Sequence, residues 1–121
     1  HDFDGFAKTI LTERQQAGYP PFARFALLRA ESPKPEAPMS FLRRALSASR
    51  TVAEIESVEV FDPIPSPMER RAGRFRAQLL MKSVNEKAFH LFLDEWIAIL
   101  ESLPESSRVR WSVDIDPQDM Y

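Results

Sequence analysis

The chain has no cysteine, which excludes disulfides and thiolate-held metals and makes a reducing compartment, the cytoplasm, the expected location. Glycine occurs only three times in 121 residues. That is too few for a glycine-rich phosphate loop and speaks against a ligand sensor built on close backbone approach. No apolar run nears the roughly 18 residues of a membrane span. The opening, "HDFDGFAKTI", is acidic and aromatic, so no signal peptide is expected. It also starts without methionine and in mid-helix pattern, which predicts a piece of a longer chain. Ser-His-Asp, Cys-His and HExxH patterns are all missing, so no catalytic centre is expected. Net charge, at −2, is small and favours no class of partner by itself.

What is present is a folding composition. Hydrophobic residues make up 44% and charged residues 28%, the balance of one soluble domain able to bury its own core. Phe3, Phe6, Ala7, Ile10 and Leu11 recur at helical spacing, with Asp2 or Asp4 to cap the start, Gly18 to stop it and Pro20-Pro21 to forbid continuation. Residues 1–18 are therefore expected as a connecting helix and 19–121 as the domain proper. Phe22 to Glu31 is apolar on both parities, punctured by Arg24 and Arg29, the pattern of a central strand covered at least partly on both faces. A helix follows, with Pro38 in its first turn and Phe41, Leu42, Ala45 and Leu46 on its buried stripe. Ser57 to Phe61 alternates as a short strand. "DPIPSPM" has proline at every second position and is expected as an extended connecting loop. Gly73 to Lys82 is the next strand. "SVNE", Ser83 to Glu86, has the spacing of a capping box before a helix with Phe89, Phe92, Leu93, Trp96, Leu100 and Leu103 on one stripe. Pro104 ends that helix, and Ser107 to Asp116 alternates as the last strand.

The order after the leading helix is β-α-β-β-α-β. Right-handed crossovers then give an α+β, ferredoxin-like fold: a four-stranded antiparallel sheet with two helices on one face. Acylphosphatases share this fold, but they carry a glycine-rich loop after the first strand, where this chain reads "ESPKPE".

Strand parity sorts the arginines. In the last strand Val109, Trp111, Val113 and Ile115 must face the core, leaving Arg108, Arg110, Ser112 and Asp114 on the open face. In the third, Phe75, Ala77, Leu79 and Met81 face inward and Arg74, Arg76, Gln78, Leu80 and Lys82 outward. Arg70 and Arg71 extend the charge into the adjoining loop. Arginine is always charged and presents a rigid donor fork suited to phosphate. The six residues Arg70, Arg71, Arg74, Arg76, Arg108 and Arg110 are thus candidates for contact with a nucleic-acid backbone. Two other readings stay open: a face docked on another domain, and a solvated face laced with Asp114 and Asp116. Those aspartates lack a third ligand, so arginines, Arg76 and Arg110, are their expected partners and no metal is expected. His90 and Asp94, one helical turn apart, read as a surface pair.

Three stretches carry a family likeness: "FAKTILTERQQAGYPPFARFALLRAE", "DPIPSPMERRAGRFRAQLLMKS" and "RWSVDIDP". Together they resemble the C-terminal domain of the PriA family (primosomal protein N′), the bacterial replication-restart helicases. The matching residues are Glu13, Arg14, Pro20, Pro21, Phe22 and Arg29 to Glu31; then Pro63, Pro65, Pro67, Gly73 to Arg76 and Gln78 to Leu80; then Trp111, Asp114, Asp116 and Pro117. Asp62 departs from the glycine usual there. The resemblance implies a module following the helicase core of an ATP-dependent 3′→5′ DNA helicase, contributing to recognition of forked or single-stranded DNA. ATP, Mg and Zn would be bound upstream, with none in this segment. Partners would be DNA, the helicase core of the same chain, and primosome proteins such as PriB and DnaT, with no membrane. The expected function is a non-catalytic DNA-binding and docking domain, or alternatively a purely structural docking module.

Overall fold

The structure, a computed structural model, describes residues 23–71 and 73–116, and for 67–71 the course of the backbone. The leading helix expected over residues 1–18 lies outside the described residues.

Strand β1 (Arg24–Ser32) leads into helix α1 (Ala37–Ser49) and a 3-10 turn (Ala53–Ser57). Strands β2 (Glu59–Val60), β3 (Ile64–Arg71) and β4 (Arg74–Ser83) follow, then helix α2 (Glu86–Ser102), a second 3-10 turn (Pro104–Arg108) and β5 (Arg110–Ile115). The sheet runs β2-β4-β1-β5, with β3 also paired to β4, and each of these pairings is antiparallel. This is the ferredoxin-like α+β arrangement.

The core is built by parity. Ala26, Leu28 and Ala30 of β1 and Ala77, Leu79 and Met81 of β4 meet Phe41, Leu42 and Ala45 of α1 and Phe89, Phe92, Leu93, Trp96 and Leu100 of α2. Trp111 and Val113 of β5 pack against this cluster. The Trp96 indole N–H donates to the Ala45 carbonyl at 2.9 Å, so the largest buried side chain also ties α2 to α1. Burying each of the large aromatics contributes about 2–3 kcal/mol.

The expected loop at "DPIPSPM" is instead mostly strand. The second strand of the fold is long and broken into β2 and β3, both paired to β4 on the sheet's edge. Proline's missing N–H is tolerated there because an edge strand bonds on one side only. Val60 lies opposite Met81 and Ile64 opposite Gln78, so the edge carries one residue more than its partner between those points. The extra residue reverses parity: Val60 packs against the core, whereas Ile64 shares the opposite face with Gln78. A further irregularity falls between Pro65 and Arg70, and the strand returns through Gly73 at φ 78°.

The helix cap also differs from the expectation. Asn85, rather than Ser83, caps α2, its side-chain oxygen accepting from Ala88 N at 3.0 Å. Ser83 accepts from Asn85 N at 3.1 Å and donates to the Ser57 carbonyl at 2.7 Å, bracing the strand end instead.

Candidate nucleic-acid interface

β1 lies between β4 and β5, and its even-numbered residues face the helices. Its odd residues therefore share the other face with Arg74, Arg76, Gln78, Leu80 and Lys82 of β4 and with Arg110, Ser112 and Asp114 of β5. Parity thus places Arg74, Arg76 and Arg110 on the side away from the helices. The middle of that side is not open. Leu27 is 0% exposed, Gln78 7% and Ser66 4%, although Leu27 belongs to no part of the helix-side core. Ala26, Leu27 and Leu28 are all fully buried in succession, as expected of a strand covered on both faces.

The charges on this face are cross-strand partners. Glu31 lies opposite both Arg76 and Arg110, and its two carboxylate oxygens approach them at 3.6 Å each. Arg29 pairs with Asp114, its diagonal neighbour on β5. Lys82 faces Glu59 at 4.0 Å. Arg24, at the start of β1, is held by Asp116 at 2.6 Å and Glu86 at 3.2 Å. Asp116 sits at φ 53° and also accepts from Phe25 N at 3.1 Å, so one side chain fastens the end of β5 to the start of β1.

These pairings correct two expectations. Asp114 and Asp116 take Arg29 and Arg24, not Arg76 and Arg110. The reason is geometry: Arg76 on β4 is separated from β5 by β1, about 10 Å away at the usual spacing, and Arg110 lies on β5 itself four residues from Asp114, about 13 Å along the strand, so the acids of β5 meet β1 first. The second correction concerns Arg108. It ends the 3-10 turn before β5 rather than lying in the strand, so parity does not place it on the sheet face. It lines a cleft beside the β1–α1 turn instead.

The six arginines differ in availability. Arg76 is 14% exposed and held by Glu31, whereas Arg110 is 73% exposed and shares the same carboxylate. Arg74 and Arg108 make no ion pair among the described residues. Backbone register puts Arg71 opposite Arg74 and Arg70 opposite Phe75, at the same end of the sheet. Sequence reasoning named Glu31 and Arg29 only for the family likeness and did not place them in this charge network. The signal was present in "RAE", since two residues apart on one strand means one face. His90 contacts Glu86 at 3.8 Å on α2, a surface pair with a different partner from the Asp94 expected. Among the described residues no group of three His, Cys, Asp or Glu is placed to hold a metal, and no helix is long and apolar enough to cross a membrane.

The arrangement can be set beside known proteins. The model of the primosomal protein N C-terminal domain family matches residues 15–118. The chain belongs to that family. The Haemophilus influenzae replication restart protein PriA is 29% identical over 118 residues, covering 98% of this chain and 16% of that protein. Its Rickettsia felis namesake is 28% identical across 99% of the chain and 17% of the relative, and the Synechocystis one 28% across 97% and 13%. The chain thus spans about a sixth of the length of these curated relatives. Among solved structures, the de novo designed protein Foldit4 superposes with a TM-score of 0.57 at 12% identity, covering 81% of this chain and all of that one, which supports the fold alone. Several residues that carried the likeness to the PriA C-terminal domain turn out to be one another's partners: Arg29 with Asp114, and Glu31 with Arg76.

Proposed function

We propose that this chain is a non-catalytic DNA-binding and docking module of a replication-restart helicase, and that its DNA contact lies at the end of the sheet where β1 finishes and β4 and β5 begin. One observation carries the reading. At that end Arg76 and Arg110 share a single carboxylate and Arg74 has none among the described residues, so positive charge is left over. Arg71, Arg74 and Arg110 would touch phosphates from this face and Arg70, which the register sets opposite the inward-facing Phe75, from the sheet's rim, while Arg76, largely buried, would hold Glu31 in place. Backbone contacts of this kind position a protein without reading bases, so binding would be independent of sequence. The relatives' name, replication restart protein, and the family's, primosomal protein, support DNA and the primosome as partners in general; the helicase core is the docking site of this proposal.

The rival, a purely structural docking module, is favoured by the burial of Leu27, Gln78 and Ser66, which takes the middle of the face out of reach of any strand. Fluorescence anisotropy with a labelled fork separates the two over a salt series. With about four phosphates engaged, log K against log salt slopes near −3. Arg74→Glu/Arg110→Glu would weaken fork binding and reduce the magnitude of that slope by about 2 while the circular dichroism spectrum stays unchanged. Unaltered fork binding by the double variant leaves the docking module as the reading.

A further inference from the structure

Beside the basic end of the sheet, the turn after β1 and the second 3-10 turn enclose a cleft of about 410 Å³. Lys34 stands on one wall and Arg108 on the other. Both are exposed, and neither has a carboxylate within ion-pair distance among the described residues. They contrast with Arg24, Arg29, Arg44, Arg76 and Arg110, each of which is held by an acid. Two acids also line the cleft. Glu105 gives one oxygen, Oε2, to Arg44 at 3.4 Å, while its Oε1 is buried with no hydrogen-bond partner among the described residues; Glu36 is exposed to solvent, where its charge is screened as those of Lys34 and Arg108 are. The wall that carries Lys34 is braced rather than loose: the Ser32 hydroxyl accepts from Lys34 N at 3.1 Å, and Ala37 N donates to the Lys34 carbonyl at 3.3 Å. The Ser40 hydroxyl adds a donor on the same wall.

We infer that this cleft seats a phosphate group, with Arg108 and Lys34 closing on it from opposite sides and Ser40 donating a hydrogen bond. The volume is in the range of small-ligand sites and accommodates a phosphate with its attached sugar. Arg108 offers the planar fork and Lys34 the point charge that phosphate sites commonly combine. Arg110 lies two residues beyond Arg108, so the cleft and the sheet end adjoin along the chain. The inference rests on the proposed DNA contact and extends it from the sheet face to a walled site.

The test is a titration of the isotope-labelled 121-residue chain, followed through its backbone amide resonances, with a short oligothymidylate and separately with inorganic pyrophosphate. Resonances of Lys34, Ala37, Ser40 and Arg108 are expected to move. Shifts at lower oligonucleotide than pyrophosphate concentration assign the phosphate to a DNA backbone; equal response assigns it to a free anion, with the same site and chemistry. Lys34→Ala/Arg108→Ala should weaken oligonucleotide binding about tenfold and reduce the magnitude of the salt slope by about 0.7, the share of one phosphate. The charge-preserving exchange Lys34→Arg/Arg108→Lys should restore most of it. If the alanine pair binds as wild type while Arg74→Glu/Arg110→Glu does not, the cleft is overturned and the proposed sheet-end contact stands. Absence of any oligonucleotide binding at low salt overturns both.

Discussion

The two ends of the sheet use the same residue type to opposite effect. Where β1 begins, Arg24 is gripped by two carboxylates, Asp116 and Glu86, and Lys82 faces Glu59. Acids there match or outnumber the bases, and the ion pairs work as fasteners between strand ends and the first turn of α2. Where β1 finishes, one carboxylate, Glu31, serves two arginines while Arg74 and Arg108 stand without one among the described residues. An arginine's role on this sheet is therefore decided less by its position on a face than by how many carboxylates its neighbouring strands supply. A cation already saturated by acids offers little to a phosphate chain; an unsaturated one retains most of its attraction.

Four substitutions sharpen that contrast, taken from the largest expected loss of stability to the smallest. Asp116→Ala removes a partner of Arg24 and the acceptor for Phe25 N, and leaves alanine at a positive φ; thermal melting should show a loss of about 2 kcal/mol. Fork affinity at the other end should hardly change. Glu31→Gln strands the largely buried Arg76 without its charge partner and should cost about 1–2 kcal/mol in the same melt. Yet it frees Arg110, so fork binding should rise several-fold. A fall in both would break the comparison, because Glu31 would then be serving DNA contact rather than restraining it. Gly73→Ala meets no steric obstacle, since a Cβ there has nothing within 4 Å. Its cost, about 1 kcal/mol, comes from the positive φ alone and is read by urea unfolding. Arg74→Ala should change stability by less than about 0.5 kcal/mol, since Arg74 has no ion pair among the described residues, while reducing the magnitude of the salt slope for fork binding by about 1.

The sequence made the sheet faces legible because alternation is local: Val109 to Val113 and Phe75 to Met81 each declare their inner side without reference to any other strand, whereas Ile115, expected in the core by the same alternation, is 45% exposed because the strand ends there, beyond the packed cluster. Helix stripes were legible for the same reason, and Phe89, Phe92, Leu93, Trp96 and Leu100 are all buried. What depends on neighbours was harder. Pairing of Asp114 with Arg29 follows from β1 lying between β4 and β5, a fact of topology and register rather than of either strand. The proline pattern at Pro63, Pro65 and Pro67 hid β3, since it excludes a central strand and a loop is the commoner alternative to an edge. Ser83 matched the capping spacing, but Asn85 stood nearer the first helical turn and won the amide. Arg108 was assigned to a strand by an alternation that runs past the strand's true start into the 3-10 turn.

The broken edge of the sheet has one more outcome. Pro65 and, in sequence, Pro67 delete amide donors along that border, and the extra residue between Val60 and Ile64 puts a kink in it. A neighbouring polypeptide sliding alongside finds a row with gaps and the wrong curvature, so lateral stacking of copies is discouraged on that flank. The other border differs: Arg110–Ile115 carries no proline, and among the described residues the far side of β5 is unpaired, so the two flanks of the sheet are unequal templates for a further strand.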